Sequence, residues 1–238
     1  MPAISERDLA ATIDHAILKP EMTRPQVDAE LDIAAECGVF SVCVRPSDIA
    51  HAVRRLDGTG VAVGTVIGFP HGTTSTAAKV AEVGQALADG AVEVDMVVNI
   101  GFLRSGFDDA VVDDIRAVVD AASGRIAKVI LETSYLDDEQ IARGSRLTEA
   151  GGAAFVKTST GFGGGGATVE HVRLMRASVG PGVQVKASGG VRGLETALAM
   201  LEAGATRLGT SASATILGEL RAIGSGAGPT GSRDDSSY

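Results

Sequence analysis

Short apolar runs at 12–17, 40–44, 61–67, 92–98, 127–131, 154–157, 183–187 and 206–208 alternate with longer Ala-rich stretches whose apolar residues recur every three to four positions. The first pattern predicts strands and the second amphipathic helices. The helical stretches cover 24–36, 47–56, 76–88, 108–122, 137–150, 169–178 and 193–202. Most end in a pair containing glycine, such as Cys37-Gly38, Asp89-Gly90, Ser123-Gly124, Gly151-Gly152 or Ala203-Gly204. Glycine supplies the left-handed conformation that closes a helix. Eight repeats of strand and helix predict an α/β fold, a (β/α)8 TIM barrel of roughly 225 residues against a usual size of about 250. The barrel takes residues 1–223 as one catalytic domain with a short N-terminal helix. A doubly wound open sheet is the rival, but no Gly-x-Gly-x-x-Gly follows the first strand and no second lobe is present. Residues 224–238 are rich in Gly and Ser and read as a flexible tail.

Alternate side chains of a strand point to opposite faces, so parity sorts each run into a row under the helices and a row facing the barrel. In 92–99 the apolar row is Val92, Val94, Met96 and Val98, while the other is Glu93, Asp95, Val97 and Asn99. The same sorting sends Asp14, Cys43, Glu132, Lys157, Lys186 and Ser211 to the side away from the helices, near the carboxyl ends of the strands. Barrel interiors are usually filled by branched apolar side chains, so this much polarity predicts a lined cavity.

Two of these residues sit in one repeated phrase. Val156-Lys157-Thr158-Ser159-Thr160-Gly161-Phe162 is echoed by Val185-Lys186-Ala187-Ser188-Gly189-Gly190-Val191. Burial and a second cation both favour the neutral form of a lysine. Lowering one lysine from about 10.4 to near 7 takes roughly 4–5 kcal/mol of differential stabilisation. A neutral amine beside a cation is what a Schiff-base enzyme requires. The alternative is a pair of structural ion bridges to Asp95, Glu93 or Glu132. Asp95, near these cations, would stay ionised and could pass protons through an ordered water, or could only balance charge.

The loops after the seventh and eighth strands, Ser188-Gly189-Gly190-Val191-Arg192 and Leu208-Gly209-Thr210-Ser211-Ala212, are rich in glycine, and the second opens a helix. In many barrels these loops hold a phosphate, because backbone N–H groups and a helix N-terminus face the anion. The run Gly163–Gly166 is either a lid or a plain loop.

Composition removes other classes. The net charge is −9, aromatic residues make up 3% and tryptophan is absent, which argues against a nucleic-acid surface. No apolar stretch has the length of a membrane span, and the first residues do not resemble a secretory signal, so no membrane association and a cytoplasmic location are expected. Cys37 and Cys43 form neither a disulfide framework nor a zinc motif, and the histidines His15, His51, His71 and His171 lack metal-ligand spacing. No metal is expected. Ser159 and Ser188 lack the Gly-x-Ser-x-Gly elbow.

The segments Ile13-Asp14-His15-Ala16-Ile17-Leu18-Lys19-Pro20, Gly68-Phe69-Pro70-His71-Gly72, Glu93-Val94-Asp95-Met96-Val97-Val98-Asn99, Lys128-Val129-Ile130-Leu131-Glu132-Thr133, both lysine phrases and Gly209-Thr210-Ser211 occur in this order from residue 12 to about 212. Together they resemble the deoxyribose-phosphate aldolase family. The resemblance implies a class I, metal-independent aldolase without cofactor that reversibly cleaves 2-deoxy-D-ribose 5-phosphate to D-glyceraldehyde 3-phosphate and acetaldehyde. It implies Lys157 as the Schiff-base lysine, Lys186 as the lysine that perturbs it and Asp95 as the proton-relay carboxylate. Gly189, Gly190, Gly209 and Ser211 match the phosphate site, and the terminal Tyr238 matches a tyrosine that assists proton transfer in some members.

Two positions depart from the pattern: Ala16 stands where many relatives have Thr, and Phe162 where some carry a lysine. The expected partners are a small phosphorylated sugar and acetaldehyde, with no nucleic acid, and a homodimer is allowed. Another phosphosugar Schiff-base aldolase, a sugar-phosphate isomerase and a noncatalytic phosphosugar-binding barrel remain open from the residues alone.

Overall fold

The computed structural model describes residues 4–224. Eight parallel strands close in sequence order into a barrel. They are β1 (Ile13–Ile17), β2 (Ser41–Val44), β3 (Ala62–Ile67), β4 (Glu93–Val97), β5 (Ile126–Ile130), β6 (Phe155–Lys157), β7 (Gln184–Ser188) and β8 (Arg207–Thr210). Every predicted strand is present, with ends shifted by one or two residues. Gly209 therefore lies inside β8 rather than in the loop after it.

The short α1 (Glu6–Ala10) precedes β1. Around the barrel run α2 (Arg24–Cys37), α3 (Ile49–Arg55), α4 (Thr76–Ala88), α5 (Ile100–Ser105), α6 (Asp108–Ala121), α7 (Asp138–Ala150), α8 (Val169–Ser178), α9 (Leu194–Glu202) and α10 (Ser213–Gly224). Their apolar stripes meet the outer row of the strands. On α6, Val111, Ile115 and Val118 fall on one face and are buried, each contributing about 1.5–3 kcal/mol of burial. Caps set the ends. The Asp137 carboxylate accepts from Gln140 N–H at 2.8 Å and the Gln140 side chain accepts from Asp137 N–H at 3.1 Å, so α7 starts on a reciprocal pair.

Two elements differ from the sequence expectation. The predicted helix 47–56 begins as a 3-10 turn, Pro46–Asp48, with Pro46 at its first position, where no backbone N–H is needed. Helix α5 was not foreseen. Its six residues are too few for a periodic apolar stripe, and it is fixed locally: Asn99 accepts from Phe102 N–H at 3.1 Å, and Gly106 ends it at φ 75°.

The outer row is apolar and the inner row is not. Ile13, Val42, Val94, Met96, Val129, Val156, Val185 and Leu208 join the main core under the helices. His15 also points outward, with Nδ1 2.8 Å from Ser213 Oγ and Nε2 2.9 Å from Glu30. The register then stacks the inward side chains in layers contributed by alternate strands. Ser41, Glu93, Phe155 and Arg207 begin the even strands, next come Asp14, Gly64, Lys128 and Lys186 from the odd strands, and above them Cys43, Asp95, Lys157 and Gly209 from the even strands. The Arg207 guanidinium lies 3.6 Å from the Phe40 ring centre and 5.4 Å from that of Phe155. This stack closes the amino end of the barrel, so access is from the carboxyl end.

Candidate active site

Lys157 ends β6 and Lys186 lies directly beside it on β7. Both are at most 2% exposed. Each Nζ donates to the same oxygen of Asp95, Oδ2, at 2.8 Å. The other oxygen, Oδ1, accepts from Lys128 at 2.8 Å. Lys186 has a second carboxylate, Asp14 Oδ2, at 2.5 Å. Asp14 Oδ1 also accepts from Ser41 at 2.6 Å and from Arg207 at 2.7 Å, and Glu93 accepts from Lys128 at 2.6 Å. The interior thus holds three carboxylates, Asp14, Glu93 and Asp95, against four basic groups, Lys128, Lys157, Lys186 and Arg207. One neutral lysine balances the cluster.

The electrostatics select which one. Burial is the largest influence on Lys157 and favours its neutral form; Asp95 opposes this, Lys186 reinforces it, and the net pKa lies below 10.5. Burial acts on Lys186 in the same direction, but Asp14 and Asp95 overcome it and hold its ammonium well above the ordinary value. Lys128 is also raised, because Asp95 leads a group of carboxylates that outweighs burial and the repulsion from Lys186. Burial opposes ionisation of Asp95, yet Lys128, Lys157 and Lys186 together keep it far below the usual carboxylate range. A neutral amine still has an N–H to give Asp95 and a lone pair left over for a carbonyl carbon.

The wall across from the ionic cluster is apolar: Ala16, Leu18, Cys43 and Val66, with Phe69 packed on them. Burial and the charge of Asp95 push the Cys43 thiol up to about 11, so it remains protonated at neutral pH. Phe69 meets Phe162 edge to face with ring centres 5.3 Å apart. Ala16 and Phe162, the two departures noted in the sequence, therefore both belong to an apolar side of the mouth.

A glycine cradle adjoins the lysines. Gly189, buried, and Gly190, exposed, follow β7 with φ 82° and 77°, conformations that favour glycine. Gly166 approaches so closely that a Cβ on it would stand 2.4 Å from the Gly189 carbonyl oxygen. Ala167 N–H donates to that oxygen at 2.9 Å. Gly161, Phe162, Gly164, Gly165, Gly166, Gly190 and Arg192 line a cleft of about 400 Å3. Ser211 is half-buried between β8 and α10. Gly209 does a different job from the loop glycine expected: a Cβ there would meet Ser188 Cβ at 2.7 Å and Lys186 Cε at 3.2 Å, so its small size leaves room for the lysine stem. Tyr238 and the tail 225–238 lie outside the described residues.

The sequence reading did not single out Lys128 and Arg207, although Lys128 shares the inward parity of Glu132. The sequence allows Glu132 as a lysine partner. It instead accepts from Thr160 N–H at 3.1 Å and from the Thr160 hydroxyl. Among the described residues, no group of three His, Cys, Asp or Glu is arranged to hold a metal ion, and no helix is long and apolar enough to cross a membrane.

A family model described as DeoC/LacD family aldolase matches residues 9–225. Deoxyribose-phosphate aldolase 2 of Staphylococcus aureus (strain MRSA252) is 54% identical over 213 residues, covering 90% of this chain and 97% of that one. A crystal structure of a candidate deoxyribose-phosphate aldolase from Coccidioides immitis is 46% identical, with a TM-score of 0.89 over 93% of this chain and 88% of its own. The tetrameric deoxyribose phosphate aldolase of Aeropyrum pernix is 31% identical, with a TM-score of 0.85 over 92% and 93% of the two chains. With an aldolase model spanning almost the whole barrel and similarity of this extent to aldolases of three organisms, the chain belongs to the DeoC/LacD aldolase family.

Proposed function

We propose that the protein is a deoxyribose-phosphate aldolase, cleaving 2-deoxy-D-ribose 5-phosphate reversibly to D-glyceraldehyde 3-phosphate and acetaldehyde through an imine on Lys157. The observation that carries this reading is the unequal treatment of two neighbouring lysines on one carboxylate oxygen, with Lys157 lowered and Lys186 raised. The lone pair of Lys157 attacks the aldehyde carbon, C1, and loss of water gives a protonated imine. Acetaldehyde retains C1 and C2, so the bond that breaks is C2–C3. A water held by Asp95 takes the C3 hydroxyl proton, the C2–C3 electrons flow into the imine, and glyceraldehyde 3-phosphate departs. The remaining enamine takes a proton at C2, and hydrolysis frees acetaldehyde and the amine. Lys186 stays charged throughout and stabilises the anionic partners.

The phosphate is assigned to Gly189, Gly190 and Ser211, where backbone N–H groups, the amino end of α10 and nearby Arg192 favour an anion. Gly209 contributes by fitting Lys186 into the barrel. The reaction as written uses no metal or cofactor. The barrel acts as a single catalytic domain, in the cytoplasm, on small phosphorylated sugars, and association into a dimer or larger oligomer belongs to the same proposal, given the tetrameric relative. The test is turnover of 2-deoxy-D-ribose 5-phosphate together with irreversible inactivation by borohydride only when acetaldehyde or the sugar phosphate is present. Turnover that survives that treatment would indicate acid–base isomerase chemistry instead, and ligand binding with no turnover would indicate a binding protein.

A further inference from the structure

Glu132 follows β5 and is 1% exposed, yet no lysine, arginine or histidine among the described residues forms an ion pair with it. Its backbone is left-handed, φ 57° and ψ 67°, a conformation uncommon for a residue with a long side chain. The carboxylate is spent on the loop that leaves β6. Oε2 accepts from Thr160 N–H at 3.1 Å and from the Thr160 hydroxyl, and the same hydroxyl oxygen accepts from Phe162 N–H at 3.0 Å. The loop then closes over the carboxylate, because a Cβ on Gly163 would stand 2.7 Å from Glu132 Cδ. Ser134, two residues on, donates to the Gly163 carbonyl at 3.2 Å, and a Cβ on Gly165 would stand 2.7 Å from Ser134 Cβ. One residue further, Gly166 makes the close approach to Gly189.

We propose that Glu132 is a positioning residue whose carboxylate is the template for the loop after β6, and that through this loop it sets the grip of the glycine cradle on the substrate's phosphate. The inference rests on the aldolase reading above, and it separates two parts of the site. Lys157 is fixed by its strand and by Asp95, so imine formation with a small aldehyde should not depend on Glu132. Phosphate binding should.

The test uses Glu132→Asn, since asparagine tolerates left-handed backbone but is too short and neutral to replace the carboxylate. The expected result is a rise in the dissociation constant for inorganic phosphate and in KM for the sugar phosphate of about tenfold or more, as expected when a supporting contact is lost. Borohydride trapping of acetaldehyde at Lys157 should change by less than about twofold, since that reaction makes no use of phosphate binding energy. Glu132→Gln, which keeps an acceptor at the same reach, should recover part of the loss. Thr160→Val should act in the same direction, and combining it with Glu132→Asn should add little. A variant that loses only thermal stability, or one in which trapping falls as much as phosphate affinity, overturns the proposal. Failure of the unsubstituted enzyme to cleave the sugar phosphate would instead overturn the aldolase reading, and the phosphate affinities would still decide the role of Glu132.

Discussion

The carboxyl ends of β6 and β7 carry the same residue at the same height, yet their affinities for a proton are shifted in opposite directions. Lys157 shares one oxygen of one carboxylate with a neighbour, whereas Lys186 holds that oxygen and a second carboxylate, Asp14. Burial weighs on both ammonium groups, so the difference comes from the partners. A carboxylate of its own raises a buried lysine above its ordinary value, whereas one that must share a carboxylate is lowered by burial. Lys79, outside the barrel interior, is equally deep and also has a carboxylate beside it. It is fully buried between α4 and α6 and has Asp114 at 2.6 Å and the Val97 carbonyl at 2.9 Å. Depth alone therefore does not make a nucleophile.

The largest way to break the contrast is to remove the amine itself. Lys157→Met should lower turnover on the order of 10^4-fold or more, as for other nucleophile deletions, and should abolish trapping by borohydride. Asp95→Asn comes next. It removes the proton relay, which is worth about 10^2–10^4-fold, and takes from both lysines the carboxylate they share. The loss should appear in kcat, measured by steady-state kinetics.

Lys186→Met sharpens the comparison. It removes a charge that lowers Lys157 and leaves Asp95 Oδ2 to Lys157 alone, with Lys128 still on Oδ1, so the pKa of Lys157 must rise. Imine formation should then need higher pH, with the neutral fraction at a given lower pH falling about tenfold for each unit of the rise. The profile of trapping rate against pH reads this directly. Asp14 loses one cation but keeps Arg207 and Ser41, so the variant should also be less stable, by less than the roughly 3–5 kcal/mol of a buried charge left unpaired. The smallest effect belongs to the rim. Phe162→Lys exchanges a ring contact with Phe69, worth about 0.5–1.5 kcal/mol, for a cation beside the glycine cleft. KM for the sugar phosphate should fall by less than about tenfold, since a partly exposed ion contact is weak, and the melting temperature should fall slightly.

Much of this arrangement was legible in the chain. Strand and helix periods, punctuated by glycine, were enough for the barrel, and parity alone sent Asp14, Asp95, Lys157 and Lys186 inward. The same parity applied earlier along β5 would have found Lys128, whose signal is a charged residue four positions before Glu132. Arg207 was hidden because it opens a four-residue strand, too short for its alternation to be read. Three-dimensional partnership was not legible. Nothing local to Val156-Lys157 or Val185-Lys186 says that Asp14, 172 residues before Lys186, reaches one lysine and not the other. Nor does sequence reveal that Glu132 turns away from the lysines, because that follows from its left-handed backbone.

The protonation of Lys157 in the intact enzyme can be measured by trapping acetaldehyde with borohydride across a pH series and locating the adduct by mass spectrometry. The expected result is a single adduct at Lys157, formed with a midpoint below the ordinary lysine value of 10.5, and an unmodified Lys186. An adduct at Lys186, or a midpoint at or above that value, would contradict the assignment of one neutral amine and one cation.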